Sequence, residues 1–447
     1  MNSLSKLTKD QKRAIISKSK RICVIATAGS GKTKVLADRL CYLIEKKSTV
    51  PNSILALTFT NKAKDEITKR VESLLSTTHV FPEIRTIDSL ALSIAQDYTG
   101  KTIDPEHDII TYGEILKTAI KALQDKSFGD RVRNQYTNLL IDEFQDINPT
   151  QFLFLTLLLT NDTSLFVVGD DDQNIYQWRE STSEYLINFK SYFPSGEIIV
   201  LDECFRCSGR IVDAMNMLIS NNKHRYPKTI KTSNPLGKQI EYTRYHSLDD
   251  EISSIVASIK AFSKEGYNQK SIAVLLRKND HTDITREKLE KNGLKEVDVA
   301  TIHSSKGNEY DIVFVAGLND NLLPFFESKK NSFADERNVL FVAISRAKKM
   351  LFLSSFMIDE GKGFSKLYKE SRFINEIRPL LKTQKTKLKT IAANKLVAGK
   401  RYYFLPQKKM ITYICSSNNR YIFGDRRSCK ITLTKKEISR FLREKIG

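Results

Sequence analysis

A chain of 447 residues, 40% of them hydrophobic, is too long for one compact core and too apolar to be disordered, so about three folded domains are expected. No apolar run reaches the roughly 18 residues a membrane span needs, and the start "MNSLSKLTKDQKRAII" lacks the apolar core of a secretory signal. A cytoplasmic protein is therefore expected, either nucleoid-associated or in host cytoplasm if viral, and six scattered cysteines suit such a reducing compartment.

The formal charge of +20 is unevenly placed. From Ile377 onward there are 19 Lys or Arg against three acids, which leaves 53 basic and 49 acidic residues before it. Basicity concentrated in this way points to a polyanion, with nucleic acid favoured over membrane because no basic amphipathic helix with a broad apolar face stands out.

Taken in order, the chain alternates short apolar runs with amphipathic stretches. The runs are "ICVIATA", "ILALTFT", "NLLIDE", "SLFVVGD", "EIIVLDE", "SIAVLLR" and "DIVFVAGL". Such runs are strands buried on both faces, the signature of parallel sheets covered by helices. An α/β fold with two such domains follows: a first over 1–198 with a short helical insertion at about 90–137, and a second over 199–381. The stretch 382–395, "KTQKTKLKTIAANK", reads as a linker. Residues 396–447, with "KRYYFLP", "MITYICSS", "NRYIFGD" and a final helix "KKEISRFLREKI", read as a small strand-rich unit.

The first of these runs leads into "CVIATAGSGKTKVLADRL", a strand, a glycine turn and a helix start. Gly29 and Gly31 let the backbone approach phosphates, and amides at the helix N-terminus point at them. Lys32 reaches the β and γ phosphates and Thr33 can hold Mg²⁺. The nucleotide-binding set is Ala26, Thr27, Ala28, Gly29, Ser30, Gly31, Lys32, Thr33 and Lys34, with Ala26 where the general P-loop pattern has Gly.

The third run poses a problem. "NLLIDEFQDINPTQ" ends a buried strand in Asp142 and Glu143, followed by Gln145 and Asp146. Burying adjacent carboxylates is costly unless a cation or a reacting group sits beside them. A P-loop resolves this: a carboxylate on a neighbouring strand completes the Mg²⁺ site and a second acid activates the attacking water. Asp142 is assigned to the metal and Glu143 to the base.

Further on, Cys204 and Cys207 form a CxxC in "LDECFRCSGR". No second close Cys or His pair accompanies them, so the spacing reads as coincidence rather than as a zinc or redox site.

Ten stretches together resemble a family. "LTKDQKRAI", "ATAGSGKTKVL", "LALTFTNKAKDEITKRV", "TIDSLALSI", "LLIDEFQD", "VVGDDDQNIYQWR", "LDECFRCSGRIVDAMN", "IAVLLR", "VATIHSSKGNEYDIVFVAGL" and "ERNVLFVAISRAKK" occur in the order of the motifs of superfamily 1 DNA helicases. The resemblance is to the UvrD/Rep/PcrA type and runs from about Leu7 to Ser354.

It implies two RecA-like domains with ATP and Mg²⁺ between them, and 3′ to 5′ movement on single-stranded DNA, with single/double-strand junctions as substrate. It also implies roles: Gln11 recognising adenine, Phe205 stacking on the base in place of the usual Tyr, Glu309 holding the ribose, and Gln173 sensing the γ-phosphate. Arg206 and Arg346 would be arginine fingers, completing a catalytic set with Lys32, Glu143 and Gln173. Phe59, Tyr176, Trp178, Thr301 and His303 would line the DNA path, where stacking rings contribute about 1 to 3 kcal/mol per base. A guanidinium delivered only on domain closure can contribute about 10³ to 10⁵ in rate, which would couple closure to hydrolysis.

Departures from the family are specific. Asp88 stands where it usually has His, and Glu180 where it has Gly. Only 50 positions separate Ser89 from Leu139, and 24 separate Arg277 from Thr301, so the first accessory insertion is shortened and the second essentially lacking. A compact translocase, or a helicase needing a protein partner, is implied, with the basic C-terminal unit (Tyr402, Tyr403, Tyr421 and Phe423 among its Lys and Arg) supplying duplex or partner contacts. Two rivals are a non-catalytic DNA-binding scaffold on a relic motor fold and a helicase-nuclease fusion. The intact site residues oppose the first, and the scarcity of acids after Ile377 opposes the second.

Overall fold

The computed structural model describes residues 7–47, 49–75, 81–104, 111–325, 332–359, 366–384, 388–390, 393–399, 401–404, 409–417, 420–424 and 430–445. The first unit is a six-stranded sheet of β1 (Arg21–Ala26), β2 (Ile54–Thr58), β3 (Glu83–Thr86), β4 (Asn138–Ile141), β5 (Ser164–Gly169) and β6 (Glu197–Leu201). All pairs are parallel, in the order β3-β2-β4-β5-β1-β6. The apolar runs explain it: Cys23 and Ile25 enter the core on one face, while Ile22, Val24 and Ala26 enter the core on the other. A strand with both faces buried needs helices on both sides, and parallel crossovers supply them.

The second unit repeats the plan with β7 (Ile240–Ser247), β8 (Ile272–Leu276), β9 (Asp298–Thr301), β10 (Tyr310–Val315), β11 (Ala347–Asp359), β12 (Lys366–Leu367) and β13 (Leu381–Gln384). Its order is β13-β7-β11-β10-β8-β9, with β12 antiparallel to the end of β11. In β8, Ala273 and Leu275 face one core and Ile272, Val274 and Leu276 the other.

The third unit is antiparallel: β14 (Leu388–Thr390), β15 (Arg401–Phe404), β16 (Lys409–Ser417), β17 (Arg420–Gly424), β18 (Lys430–Thr434) and β19 (Leu442–Lys445), in the order β14-β19-β15-β16-β17-β18. No described helix is long and apolar enough to cross a membrane.

Strand pairing sharpens the expected boundaries. β6 belongs to the first sheet and runs to Leu201, past residue 198, because its apolar residues Ile199 and Leu201 complete the core beside β1. The stretch 382–395 contains most of β13, which pairs with β7, and all of β14, which pairs with β19.

Among the described residues between β3 and β4 lie three helices, Ile87–Thr99, Tyr112–Gln124 and Lys126–Arg133, N-capped by Thr86, Thr111 and Asp125. Between β8 and β9 there is one, Asn279–Lys291, followed by a short turn. One expectation fails in the third unit: Tyr402 and Phe423 are fully buried, and with Phe404, Ile411 and Tyr413 they form its core. A unit this small needs its few large rings inside, so they are not contact groups. Tyr421 is half-buried against that core. Cys429 and the side chain of Tyr403 lie outside the described residues.

Candidate active site and aromatic path

Ligands in open α/β sheets sit at the carboxyl ends of the strands, and here those ends converge. β1 runs into the glycine turn and the helix Lys32–Lys47 begins directly after it. Gly29 and Gly31 have φ of +74° and +84°, a region that favours glycine. A Cβ at Gly29 would also come within 2.7 Å of Arg206 Cβ, so glycine is needed here for close approach of the second unit. Ala26, at the end of β1, keeps negative φ, which is why Ala is tolerated there.

Gln11 reaches this turn from the first helix, Lys9–Ile16. Its side chain accepts from the Thr8 amide in a capping box while its Nε2 donates to the Ser30 carbonyl at 2.9 Å. One residue thus fixes both the helix start and its distance from the phosphate turn.

Asp142 and Glu143 follow β4. Glu143 adopts a left-handed conformation with φ of 48°, uncommon without glycine and of a kind that persists at functional sites. Its Oε2 lies 3.5 Å from Lys32 Nζ and also accepts from Gln145. Burial pushes the Asp142 carboxyl up, with the charge of Glu143 adding to it. Burial acts the same way on Glu143, but Lys32 and Lys306 outweigh it and hold Glu143 below its usual range.

The second unit closes the cavity. Across about 670 Å³ the phosphate turn, Asp142, Glu143 and Gln173 face Phe205, Arg206, Glu309 and Arg346. Gln11, Lys34 and the turn from Gly29 to Thr33 line this space, whereas Ala26, Thr27 and Ala28 do not. Thr27 is fully buried with its hydroxyl on the Leu201 carbonyl, and Ala28 packs into the second unit's core.

Glu309 is engaged by two cations: Arg206 Nε at 2.7 Å and Lys348 Nζ at 2.7 Å. Arg206 also donates to the Ser345 carbonyl. Arg346 is fully buried and gives its donors to Gln173 Oε1 at 3.2 Å, the Asn308 and Val342 carbonyls and the Ser345 hydroxyl. Desolvation, with the repulsion of Arg206 second, lowers it to about 9.

Lys306 was not among the expected residues. It pairs with Asp146, donates to the Gln173 carbonyl at 2.9 Å and lies 5.0 Å over the Tyr176 ring, joining the acidic loop to the aromatic side. Glu66 and Arg70, one helical turn apart on the helix Asn61–Leu74, were also missed and line the same cavity.

The aromatic path lies just beyond Gln173. Trp178 is 62% exposed, Tyr176 meets it edge-on at 6.5 Å, and His303 lies 6.3 Å from Tyr176. Burial, then the charge of Arg277, pushes the His303 imidazole down to about 4, so it is a neutral ring at pH 7. Phe59 is half-buried against the first unit's core, and the Thr301 hydroxyl is used within its own turn, on Ser304. Arg277 and Lys278 flank Phe325 at 5.2 and 4.8 Å, a basic-aromatic group the sequence did not mark.

Both family departures have local reasons. Asp88 sits in the first turn of the helix Ile87–Thr99, where a carboxylate suits the helix dipole. Glu180 has φ of 63° after the turn Gln177–Arg179, so the family's glycine matches a left-handed position that Glu occupies here.

Comparison with known proteins agrees with this layout. Residues 7–107 and 101–194 match the UvrD/REP helicase N-terminal domain, and 199–296 and 287–357 match the UvrD-like helicase C-terminal domain. A probable DNA helicase of Mycoplasma pneumoniae is 27% identical over 85% of this chain and 88% of its own length. A probable DNA helicase II homolog of Mycoplasma capricolum is 28% identical over 62% of this chain, and the ATP-dependent DNA helicase PcrA of Staphylococcus epidermidis is 27% identical over 66%. The chain spans about half the length of these last two, 50% and 51%. With matches running in order from residue 7 to 357 across two parallel-sheet units and the cleft they share, the chain belongs to the UvrD-like helicase family.

Proposed function

We propose that this chain is an ATP-driven motor that translocates on single-stranded DNA, 3′ to 5′, and unwinds duplex at single/double-strand junctions. The observation that carries the proposal is the shared cleft: the phosphate turn and acids come from one unit, and Phe205, Arg206, Glu309 and Arg346 from the other. Turnover there must respond to how the two units meet. Gln173 and Lys306 tie that cleft to Tyr176, so the same motion reaches the stacked rings.

ATP is the substrate of the cleft. Phe205 offers a ring to the base and Gln11 an amide, Lys32 and the turn amides bind phosphate, and Glu143 accepts the proton of the attacking water. Phosphate competes with Glu143 for Lys32, so binding frees the base. Arg206 and Arg346 bring charge to the γ-phosphate when the units close. The Thr33 hydroxyl and Asp142 carboxylate form an oxygen donor set that suits Mg²⁺, and a cation there would offset the burial that drives Asp142 upward. A cation held by those two groups would supply neutralisation of phosphate charge. Glu309 must release Arg206 before it can hold a ribose, which makes that ion pair part of the cycle.

The test is ATP hydrolysis with and without single-stranded DNA, followed by unwinding of 3′-tailed and 5′-tailed duplexes. Stimulated hydrolysis with unwinding of the 3′-tailed substrate alone is expected. DNA binding with no DNA-stimulated turnover would move the chain to the scaffold class.

Two further results are expected. Trp178 is the sole tryptophan, so single-stranded DNA should quench intrinsic fluorescence directly. Trp178→Ala should weaken binding by about 1 to 3 kcal/mol, measured by anisotropy of labelled oligonucleotide. The basic third unit is assigned duplex or partner contacts through Lys and Arg. Deletion from residue 388, which spares β13, should lower duplex affinity and flatten its salt dependence. An unchanged salt slope would remove that role. A cytoplasmic location completes the proposal.

A further inference from the structure

Cys204 and Cys207 bracket Phe205 and Arg206, the ring and the guanidinium that face the nucleotide cleft. Both are free and buried. The Cys207 amide donates to Cys204 Sγ at 3.4 Å, and the Cys207 thiol donates to the Ser345 carbonyl at 3.7 Å. That carbonyl also accepts from Arg206. On its other side Cys204 Sγ rests against the first unit, since a Cβ on Gly29 would come within 2.9 Å of it. The two sulfurs therefore sit in the turn that must move when the units close, one touching the phosphate loop and the other touching the residue before Arg346.

We propose that Cys204 and Cys207 are a redox modification site, at which a peroxide-class oxidant closes a disulfide across Phe205 and Arg206 and slows ATP turnover. Cys204 is the attacking group. Interaction with the Cys207 side chain, with the Cys207 and Arg206 amides and the Arg206 guanidinium behind it, outweighs burial and draws Cys204 down to about 6. The same interaction, with burial, pushes Cys207 up.

The Cys204 thiolate attacks peroxide: an S–O bond forms, the O–O bond breaks, and hydroxide leaves and is protonated to water. Cys207 then attacks Cys204 Sγ, forming S–S and breaking S–O; the second hydroxide takes the Cys207 proton and leaves as water. Two thiols are oxidised and one peroxide is reduced to two waters, and a dithiol reductant reverses the change.

The disulfide fixes the turn between two residues three positions apart. Arg206 must exchange Glu309 for phosphate in the cycle, and a fixed turn opposes that exchange. Gly29 of the first unit lies over Cys204, so nucleotide that holds the two units together should slow oxidation.

The experiment uses the full chain, reduced, then treated with hydrogen peroxide and quenched. Peptide mass mapping reports the bond, and DNA-stimulated ATPase reports its effect before and after dithiothreitol. A 204–207 cross-link lighter by two hydrogens is expected, with turnover lowered roughly tenfold or more and restored by reductant. Cys204→Ser should keep its rate in peroxide, and Cys207→Ser should accumulate a sulfenic acid that dimedone captures at Cys204. Absence of the cross-link, a cross-link without loss of rate, or equal inhibition of Cys204→Ser would overturn the proposal. The functional arm rests on the ATPase assignment, but the mass arm does not, so failure of one is distinguishable from failure of the other.

Discussion

Glu143→Gln should lower the DNA-stimulated rate of ATP hydrolysis by about 10² to 10⁴, the range that a positioned general base contributes. Binding should persist, because Gln keeps the volume and can still accept from Gln145 and Lys32. The left-handed backbone at position 143 aims this side chain into the cleft, and Gln is no more strained there than Glu. ATP affinity therefore stays within a few-fold of the parent while kcat collapses, and the variant remains on DNA when ATP is present. A variant hydrolysing at more than about a tenth of the parent rate would transfer the base role to another group. Asp146 is then the next carboxylate to test, since it lies on the same loop and is held by Lys306.

Arg206→Ala should cost about 10³ in kcat, at the lower end of what an arginine finger supplies, with a smaller change in KM for ATP. Among the described residues the side chain is bound to Glu309 and to the Ser345 carbonyl, and its removal leaves Lys348 to pair with Glu309. Folding should be nearly unaffected, which a thermal melt checks. A rate loss confined to KM would instead make Arg206 a binding group. Arg346 is the harder residue to test, because its guanidinium is buried and its removal would take a donor from the buried Gln173 Oε1.

Much of this site was legible because its residues are local. The phosphate turn and the pair Asp142 and Glu143 are contiguous stretches at strand ends, and the covered strands announce parallel sheets by their unbroken apolar runs. Lys306 was hidden because its partners, Asp146 and Gln173, lie in the other unit, 160 and 133 residues away. Its signal was a lysine set between His303 and Glu309, both already placed at the site. Glu66 and Arg70 read as an ordinary surface charge pair at helical spacing, and only the packing of their helix brings them to the cleft. The rings of the third unit misled for the opposite reason: aromatic residues among Lys and Arg look like a nucleic-acid surface, but a short antiparallel sheet uses its rings as core.

Strand β13 ends at Gln384 and β14 begins at Leu388, so three residues join the second unit to the third. Fully extended, that connection reaches no more than about 14 Å. The basic module is therefore on a leash too short for it to wander. It stays beside the second unit, tethered through one edge strand of that unit, β13.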